Sequence, residues 1–442
     1  MNVLLIGSGA REHAIAWKLR QSPRLDDLII APGNAGTETL GINVPVPVAD
    51  LASLADVARR HRVDLTVVGP ETPLAAGIVD LFQQDGLKIV GPTKLAARIE
   101  SSKLFAKGLM REAGIPTAAY EAFSSHAEAV RYVESVSFPR VVKADGLAAG
   151  KGVTVCQTRE EALGAIHESM VLRAFGAEGE SVLVEEMLTG PEISVFAFTD
   201  GTNLSPLAAA CDYKRASDGD RGPNTGGMGS YSPPPFWDAA LSERITAEIM
   251  KPAVRALAAR GHPFTGVLYG GLILTDDGPK VIEFNCRLGD PETQVVMPRL
   301  QSDLLDILLA TVEGTVDRCP VEWSDEAYVA VVMTSGGYPG AYLTGYPISG
   351  LECLDPGLVT FHAGTRTEAG SDGHGGLVVT DGGRVLTVVA SGDSVAAARA
   401  SVYGGLPLVQ FEHAHYRTDI ALLAGTNPMG LAPRSAREAE EE

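Results

Sequence analysis

Short apolar runs and longer amphipathic stretches alternate along the first hundred residues. Val3–Ile6, Leu28–Ile30, Leu65–Val68 and Lys88–Val90 read as strands, while His13–Arg20 and Leu51–Arg60 carry helical spacing. Strands alternating with helices predict a parallel, doubly wound sheet whose ligands bind at the carboxyl ends of the strands. Those ends read GSGAREH (7–13), APGNAG (31–36), GPET (69–72) and GPT (91–93).

The pattern changes after residue 100. A helix is expected over the stretch SSKLFAKGLMREAGIPTA (101–118), capped by Ser101 or Ser102 and ended by Gly114 and Pro116. Strands follow at Arg140–Ala144 and Gly152–Cys156, joined by DGLAAGKG, and then at Ser181–Val184 and Ile193–Thr199. Residues 211–235 are so rich in Gly, Pro, Asn and Asp that no regular structure is expected, and their Asp and Lys/Arg residues read as a polar site. From Tyr328 onward, strands at Tyr328–Thr334 and Arg384–Ala390 with glycine turns predict a small β-rich unit. The charged residues ending in SAREAEEE predict a disordered tail.

Composition changes this picture little. A chain of 442 residues accommodates about three domains. The net charge of −19 argues against a broad nucleic-acid or acidic-membrane surface. Five scattered cysteines without metal spacing fit reduced thiols. The N-terminal apolar run lacks a basic leader and no stretch approaches a membrane span, so a cytoplasmic protein is expected.

Candidate chemistry lies in three segments. The GxG of residues 7–9 is not a dinucleotide fingerprint, because Glu12 stands where the third glycine belongs. KADGLAAGKGV (143–153) is not a Walker A loop, since three residues rather than four precede Gly150-Lys151 and Gly152 follows. Such a glycine hairpin can still offer N–H groups to phosphates and move as a lid, with Lys143 as a point charge. VEEMLTGPEIS (184–194) places Glu185, Glu186 and Glu192 near a strand end, where a carboxylate can hold a ribose. In VIEFNCRLGDPETQ (281–294), period two puts Glu283, Asn285 and Arg287 on one face of an apolar strand. Burying these groups without partners is costly, whereas magnesium is commonly held by one or two such oxygens with ATP phosphates completing its shell.

With REHA (11–14), APGNAGT (31–37), GPE (69–71), VKADGLAAGKGV (142–153), GPNTGGMG (222–229), EFNCRLGDPETQ (283–294), FHAGT (361–365), GGRVL (382–386) and YRTDI (416–420), the chain resembles the phosphoribosylamine–glycine ligase family of ATP-grasp enzymes in purine synthesis. The motifs run in family order over roughly residues 1–420. The resemblance implies an N-terminal α/β substrate domain (1–100), an ATP-grasp domain (101–325) with a lid at about 117–190, a C-terminal β-rich domain (326–424) and a tail (425–442). It implies ligation of glycine to 5-phosphoribosylamine through glycyl phosphate, with ATP as co-substrate and Mg2+ or Mn2+ as the metal. A monomer or weak dimer acting on small molecules, without nucleic acid or membrane, is expected.

Residue by residue, the resemblance places the metal on Glu283 and Asn285. It places ATP on Lys103, Lys143, Gly150, Lys151, Gly152, Glu185, Glu186, Met187 and Glu192. Arg287 and Asp290, with Lys143, are the candidate catalytic groups, the first two holding the glycine zwitterion unless they form an internal salt bridge. Gly9, Asn34, Gly36, Glu71, Asp212 and Lys214 are the candidates for phosphoribosylamine. Ala10, Cys211 and Tyr213 depart from the family pattern, leaving the acid and the lysine of that segment in place. Two other readings remain: an ATP-grasp carboxylate–amine ligase with another substrate, or a nucleotide-binding regulator without catalysis.

Overall fold

The structure is a computed structural model that describes residues 1–147, 152–369, 376–422 and 424. The expectations for Gly150, Lys151 and the tail 425–442 lie outside the described residues. Parallel strands β1 (Val3–Gly7), β2 (Leu28–Pro32), β3 (Ile42–Asn43), β4 (Leu65–Val68) and β5 (Ile89–Val90) form the first sheet, in the order β3-β2-β1-β4-β5. β1 is buried along its whole length, as its uniform apolar run requires of a sheet covered on both faces. Helix α1 (Ala10–Leu19) follows it and buries Arg11, Glu12 and His13 as well as its apolar residues. It lies between its own sheet, the helix Thr293–Arg299 and a C-terminal strand, so it has no broad solvent face. Helix α2 (Leu51–Arg60), capped by Asp50, is amphipathic in the ordinary way.

A second, antiparallel sheet contains β6 (Tyr120–Phe123), β7 (Arg140–Ala144), β8 (Val153–Cys156) and β9 (Val182–Glu186), ordered β6-β9-β7-β8. It packs with the helices His126–Ser135 and Arg159–Met170 around its own core of Ala129, Val133, Val142, Cys156, Ala162 and Ile166. This separate core makes the segment a subunit of the fold.

The remaining strands are β10 (Glu192–Asp200), β11 (Ala208–Asp212), β12 (Arg215–Ser217), β13 (Arg221–Asn224), β14 (Gly229–Ser232), β15 (Thr265–Thr275), β16 (Gly278–Asn285), β17 (Ala327–Thr334), β18 (Leu358–His362), β19 (Thr365–Ala369), β20 (Gly376–Thr380) and β21 (Arg384–Gly392). Among the described residues, eight of them form one continuous antiparallel sheet, β16-β15-β10-β11-β14-β17-β21-β18. The junction is the β14–β17 pair, with Gly229 opposite Val331 and Ser232 opposite Tyr328. The middle and C-terminal units therefore share a sheet, and apolar clusters also join the first sheet to β10, β15 and the helix Leu304–Glu313.

Two expectations are corrected here. Residues 211–235 are largely regular: β12 and β13 form a hairpin, and β14 is a buried strand of the large sheet. Glycine serves this strand because a Cβ at Gly229 would stand 2.7 Å from the Ala330 carbonyl. Asp218 and Asp220 at the hairpin tip belong to a structural clamp: Asp218 accepts from the Thr418 N–H at 2.8 Å, and Asp220 pairs with Arg417 at 2.9 Å. In β16, strict alternation fails because a bulge at Ile282 separates the Gly271–Glu283 pair from the Leu272–Val281 pair. Val281 and Phe284 consequently enter the same core, and Arg287 lies past the strand end at Asn285.

No helix among the described residues is long and apolar enough to cross a membrane.

Candidate active site

The carboxyl end of β16 delivers Glu283 and Asn285 to a crowded polar region. Burial opposes the charge on Glu283, but Lys214, Lys143, Lys103 and Arg287 hold its carboxyl below the ordinary range. The hydrogen-bond network turns the Asn285 amide nitrogen toward Glu100 Oε1 (3.0 Å) and the Phe284 carbonyl (3.2 Å). That orientation leaves the amide oxygen for another partner.

Arg287 reaches toward the first sheet. Its guanidinium bonds Glu71 at 3.0 Å and Glu100 at 2.9 Å. Asp290 instead pairs with Arg384 of β21 at 2.8 Å and accepts from the Gln294 amide at 2.8 Å. The two candidate glycine-binding residues thus form no salt bridge with each other; each has a partner from a different part of the chain. Burial works against the Asp290 charge, yet Arg384 and Arg11 hold its carboxyl below the ordinary range.

Lys143, on β7, contacts Glu185 at 3.0 Å and the Ile282 carbonyl at 3.3 Å. Lys103, opening the helix Lys103–Ala113, bonds the Gly146 carbonyl at 2.6 Å, and Gly152 is buried. Glu185 is 2% exposed and lies between Lys143 and Lys107, the latter at 3.1 Å. Its other carboxylate oxygen, Oε1, is buried without a hydrogen-bond partner among the described residues. Burial, offset by Glu185 and reinforced by Lys143, lowers the Lys107 pKa to about 8. Glu186 accepts from the Ala119 N–H at 3.0 Å, and Met187 is half-buried just past β9.

Glu192 and Lys214, assigned to different ligands by resemblance, form one ion pair at 2.5 Å. Asp212 lies 4.0 Å from the same ammonium. Burial first, and then Glu292 and Glu192, push the Asp212 carboxyl up to about 7, against the attraction of Lys214. Glu292 is buried and accepts from Ser194 Oγ at 2.9 Å, and that hydroxyl also contacts the Tyr269 hydroxyl at 2.9 Å.

The N-terminal candidates are arranged differently. The Gly9 N–H donates to Glu12 Oε2 at 2.6 Å, so the first turn of α1 already holds an internal carboxylate. Side chains at Gly7 and Gly69 would also collide with Glu12, at 2.3 and 2.1 Å. The residue that breaks the dinucleotide fingerprint therefore fills the space a pyrophosphate would need. Asn34 donates to the Ser8 and His362 carbonyls, each at 2.8 Å, and accepts from the N–H groups of Gly36 and Thr37. These bonds occupy its whole amide, and its backbone N–H and carbonyl are engaged by Thr37 and Asn43. Gly36 is buried between His13 and His362, where a Cβ would be 2.2 Å from the His13 ring. The Asn34 bond to His362 and the packing of Gly36 against His362 therefore lead to the C-terminal unit and not to the Glu283 cluster.

Sequence reasoning missed Glu12, Glu100, Lys107, Glu292 and Arg384 as parts of this network. Lys107 had a usable signal, since it follows Lys103 by one helical turn on the same face. Glu100 had none, and Arg384 lay in the GGRVL motif (382–386) without any sign of its partner, because the partners of both are distant in the chain.

Comparison with known proteins fits this geometry. Profiles of the phosphoribosylglycinamide synthetase N domain, ATP-grasp (A) domain and C domain match residues 1–100, 101–293 and 328–423. Phosphoribosylamine–glycine ligase of Halalkalibacterium halodurans is 48% identical over 95% of this chain and 96% of its own.

The chain belongs to the phosphoribosylglycinamide synthetase family.

The Chlorobaculum tepidum ligase is 47% identical over 96% of this chain and 100% of its own. The crystal structure of the Thermotoga maritima family member superposes with a TM-score of 0.82 at 33% identity, covering 95% of this chain and all of that one (100%). The biotin carboxylase domain of Hydrogenobacter thermophilus 2-oxoglutarate carboxylase, solved with MgADP and bicarbonate, shares the fold with a TM-score of 0.70 at 15% identity, covering 94% of this chain and 91% of its own. The architecture is that of a multidomain α/β protein, with an N-terminal parallel sheet, an ATP-grasp domain and a C-terminal domain.

Proposed function

We propose that this family member joins glycine to 5-phosphoribosylamine at the expense of ATP, giving glycinamide ribonucleotide, ADP and phosphate. The observation that carries the reading is the Glu283 carboxylate set among Lys214, Lys143, Lys103 and Arg287 at the end of β16. The close ligase relatives supply the identity of the substrates.

In the first step a glycine carboxylate oxygen attacks the γ-phosphorus and ADP leaves, producing glycyl phosphate. The phosphoribosylamine nitrogen then attacks the acyl carbon, phosphate leaves and the amine loses a proton. Neither step needs a nucleophilic side chain, so positioning and charge stabilisation supply the catalysis. Lys143 and Lys103 bind the phosphates together with Gly150, Lys151 and Gly152 of the glycine-rich segment, and the segment 117–190 closes as a lid. The adenosine lies by Glu185, Glu186, Met187 and Glu192. Glu185 Oε1, which has no hydrogen-bond partner among the described residues, is an acceptor suited to a nucleoside amine or hydroxyl. Arg287 and Asp290 bind the glycine ends.

For phosphoribosylamine, Glu71, Asp212 and Lys214 supply side chains, while Gly9, Asn34 and Gly36 shape the site. The residues present also fit a divalent cation: Glu283 is held anionic, and Asn285 has its amide oxygen free of the Glu100 bond. Mg2+ or Mn2+ there would neutralise phosphate oxygens. We place the domain limits near residues 100, 325 and 424, and infer a cytoplasmic monomer or weak dimer that binds neither nucleic acid nor membrane.

The test is ADP release with glycine and freshly generated phosphoribosylamine. ATP binding by an intact protein without glycine-dependent turnover would sink the reading, and preference for another amine would replace the substrate.

A further inference from the structure

The RLGDPETQ segment is held from the opposite side by a residue with no assigned role. Arg384 opens β21 in the C-terminal domain, far along the chain from the ATP-grasp motifs. Its guanidinium donates to Asp290 Oδ2 at 2.8 Å, Asp290 Oδ1 at 3.3 Å and the Asp290 carbonyl at 3.2 Å. The same group donates to the Gly226 carbonyl at 2.5 Å. One side chain therefore bridges the GPNTGGMG loop and the Asp290 turn.

The loop is built to admit this bridge. A Cβ at Gly226 would lie 2.9 Å from the Arg384 guanidinium carbon, and one at Gly227 would lie 2.2 Å from Pro291 Cδ. The two adjacent glycines thus clear space for two neighbours, the arginine and the proline. Tyr338, also of the C-terminal domain, accepts from the Gly226 N–H through its hydroxyl at 2.9 Å. Ser230 Oγ closes the same joint by donating to the Pro291 carbonyl at 2.8 Å.

Asp290 meanwhile faces the N-terminal domain, with Oδ2 3.8 Å from where a Gly9 Cβ would be. A carboxylate on a free turn would rotate among several positions. A bidentate guanidinium restricts it to one.

We propose that Arg384 is a positioning residue for the amino-acid half of the reaction, fixing Asp290 and the Gly226–Gly227 loop so that the glycine ammonium meets a preset carboxylate. The proposal rests on the ligase reading above. It makes the C-terminal domain part of the amino-acid site while leaving the nucleotide contacts to the other domains.

The test compares the wild type with Arg384→Gln, Arg384→Lys and the exposed control Arg366→Gln, measuring KM for glycine and for ATP, kcat and thermal midpoint. Arg384→Gln is expected to raise the glycine KM about 10- to 100-fold, the range of a lost charged bidentate contact, and the ATP KM less than about threefold. Arg384→Lys keeps the charge without the fork and is expected to fall between. Arg366→Gln should match the wild type. An unchanged glycine KM in folded Arg384→Gln would overturn the proposal, as would equal increases for glycine and ATP. Should Arg384→Gln fail to fold, Arg384→Lys decides by the same split. Absence of glycine-dependent turnover in the wild type would instead remove the ligase reading itself, a result separable from any variant.

Discussion

The junction between the N-terminal and C-terminal domains contains two buried histidines, and acid should loosen it by a calculable amount. His13 is 6% exposed, and its Nδ1 accepts the His362 N–H at 2.8 Å, so that nitrogen is unprotonated. Burial and then the neighbouring His362 lower the His13 pKa to about 3, and burial lowers that of His362 to about 4. In the unfolded chain both titrate near 6.5.

Because the folded values are depressed, these histidines contribute full stability above pH 6.5. That contribution is lost as pH falls toward the folded pKa values, since only the unfolded chain takes up the protons. Between about pH 7.5 and pH 5 the loss is about 2 kcal/mol for each histidine, or about 4 kcal/mol together. Asp212, raised to about 7, acts with the opposite sign: its contribution is present at low pH and declines as pH rises through 7. A pH profile of the wild type alone would therefore mix the two effects, and the difference from a His13→Gln/His362→Gln variant isolates the histidines.

Trp17, whose ring centroid lies 6.0 Å from that of Phe361, provides a local fluorescence reporter once Trp237 and Trp323 are changed to Phe. Urea unfolding at several pH values should show the stability gap between the two proteins shrinking by about 4 kcal/mol on acidification. A gap independent of pH would refute the reasoning, as would an NMR titration placing either folded-state pKa near 6.5.

Other consequences concern the site itself. Glu283→Gln should abolish turnover while the thermal midpoint stays within a few degrees, which a parallel activity and melting measurement checks. Glu12→Gln leaves Arg11 buried without its 2.6 Å carboxylate partner and should cost about 3 kcal/mol in urea unfolding; a loss below about 0.5 kcal/mol would show that the pair is dispensable. Gly227→Ala combines a φ of +110° with a 2.2 Å approach to Pro291, so it should lower the melting temperature and raise the glycine KM together. Lys107→Met removes one of the two cations beside Glu185, and the expected result is an ATP KM about tenfold higher with little change in glycine KM.

Local pattern was enough for most elements. The apolar runs at 3–6 and 65–68 became β1 and β4 because sequence-adjacent interactions and double-sided burial both act on the run itself. The motif order likewise named the family, and it marked Glu283, Asn285, Arg287 and Lys143 as candidates. The partners of those residues were not legible. Arg287 is tied to Glu71 across 216 positions in sequence, and Asp290 to Arg384 across 94. The charge state of Asp212 depends on Glu292 and Glu192, which only the folded sheet brings near it.

The GPNTGGMG segment shows the division most clearly. Its glycines announced either a turn or a close approach, and composition favoured an irregular polar loop over a strand. Tertiary structure decided the matter: Arg221–Asn224 pairs with β12 as β13, Gly229 enters the buried strand β14 between β11 and β17, and a Cβ at Gly226, Gly227 or Gly229 would come within 2.9 Å of a neighbour. Sequence alone determined the family and marked candidate residues for the chemistry, since both depend on side-chain type and local spacing. Which carboxylate faces which cation depends on strand order and domain contact, and no local pattern encodes those.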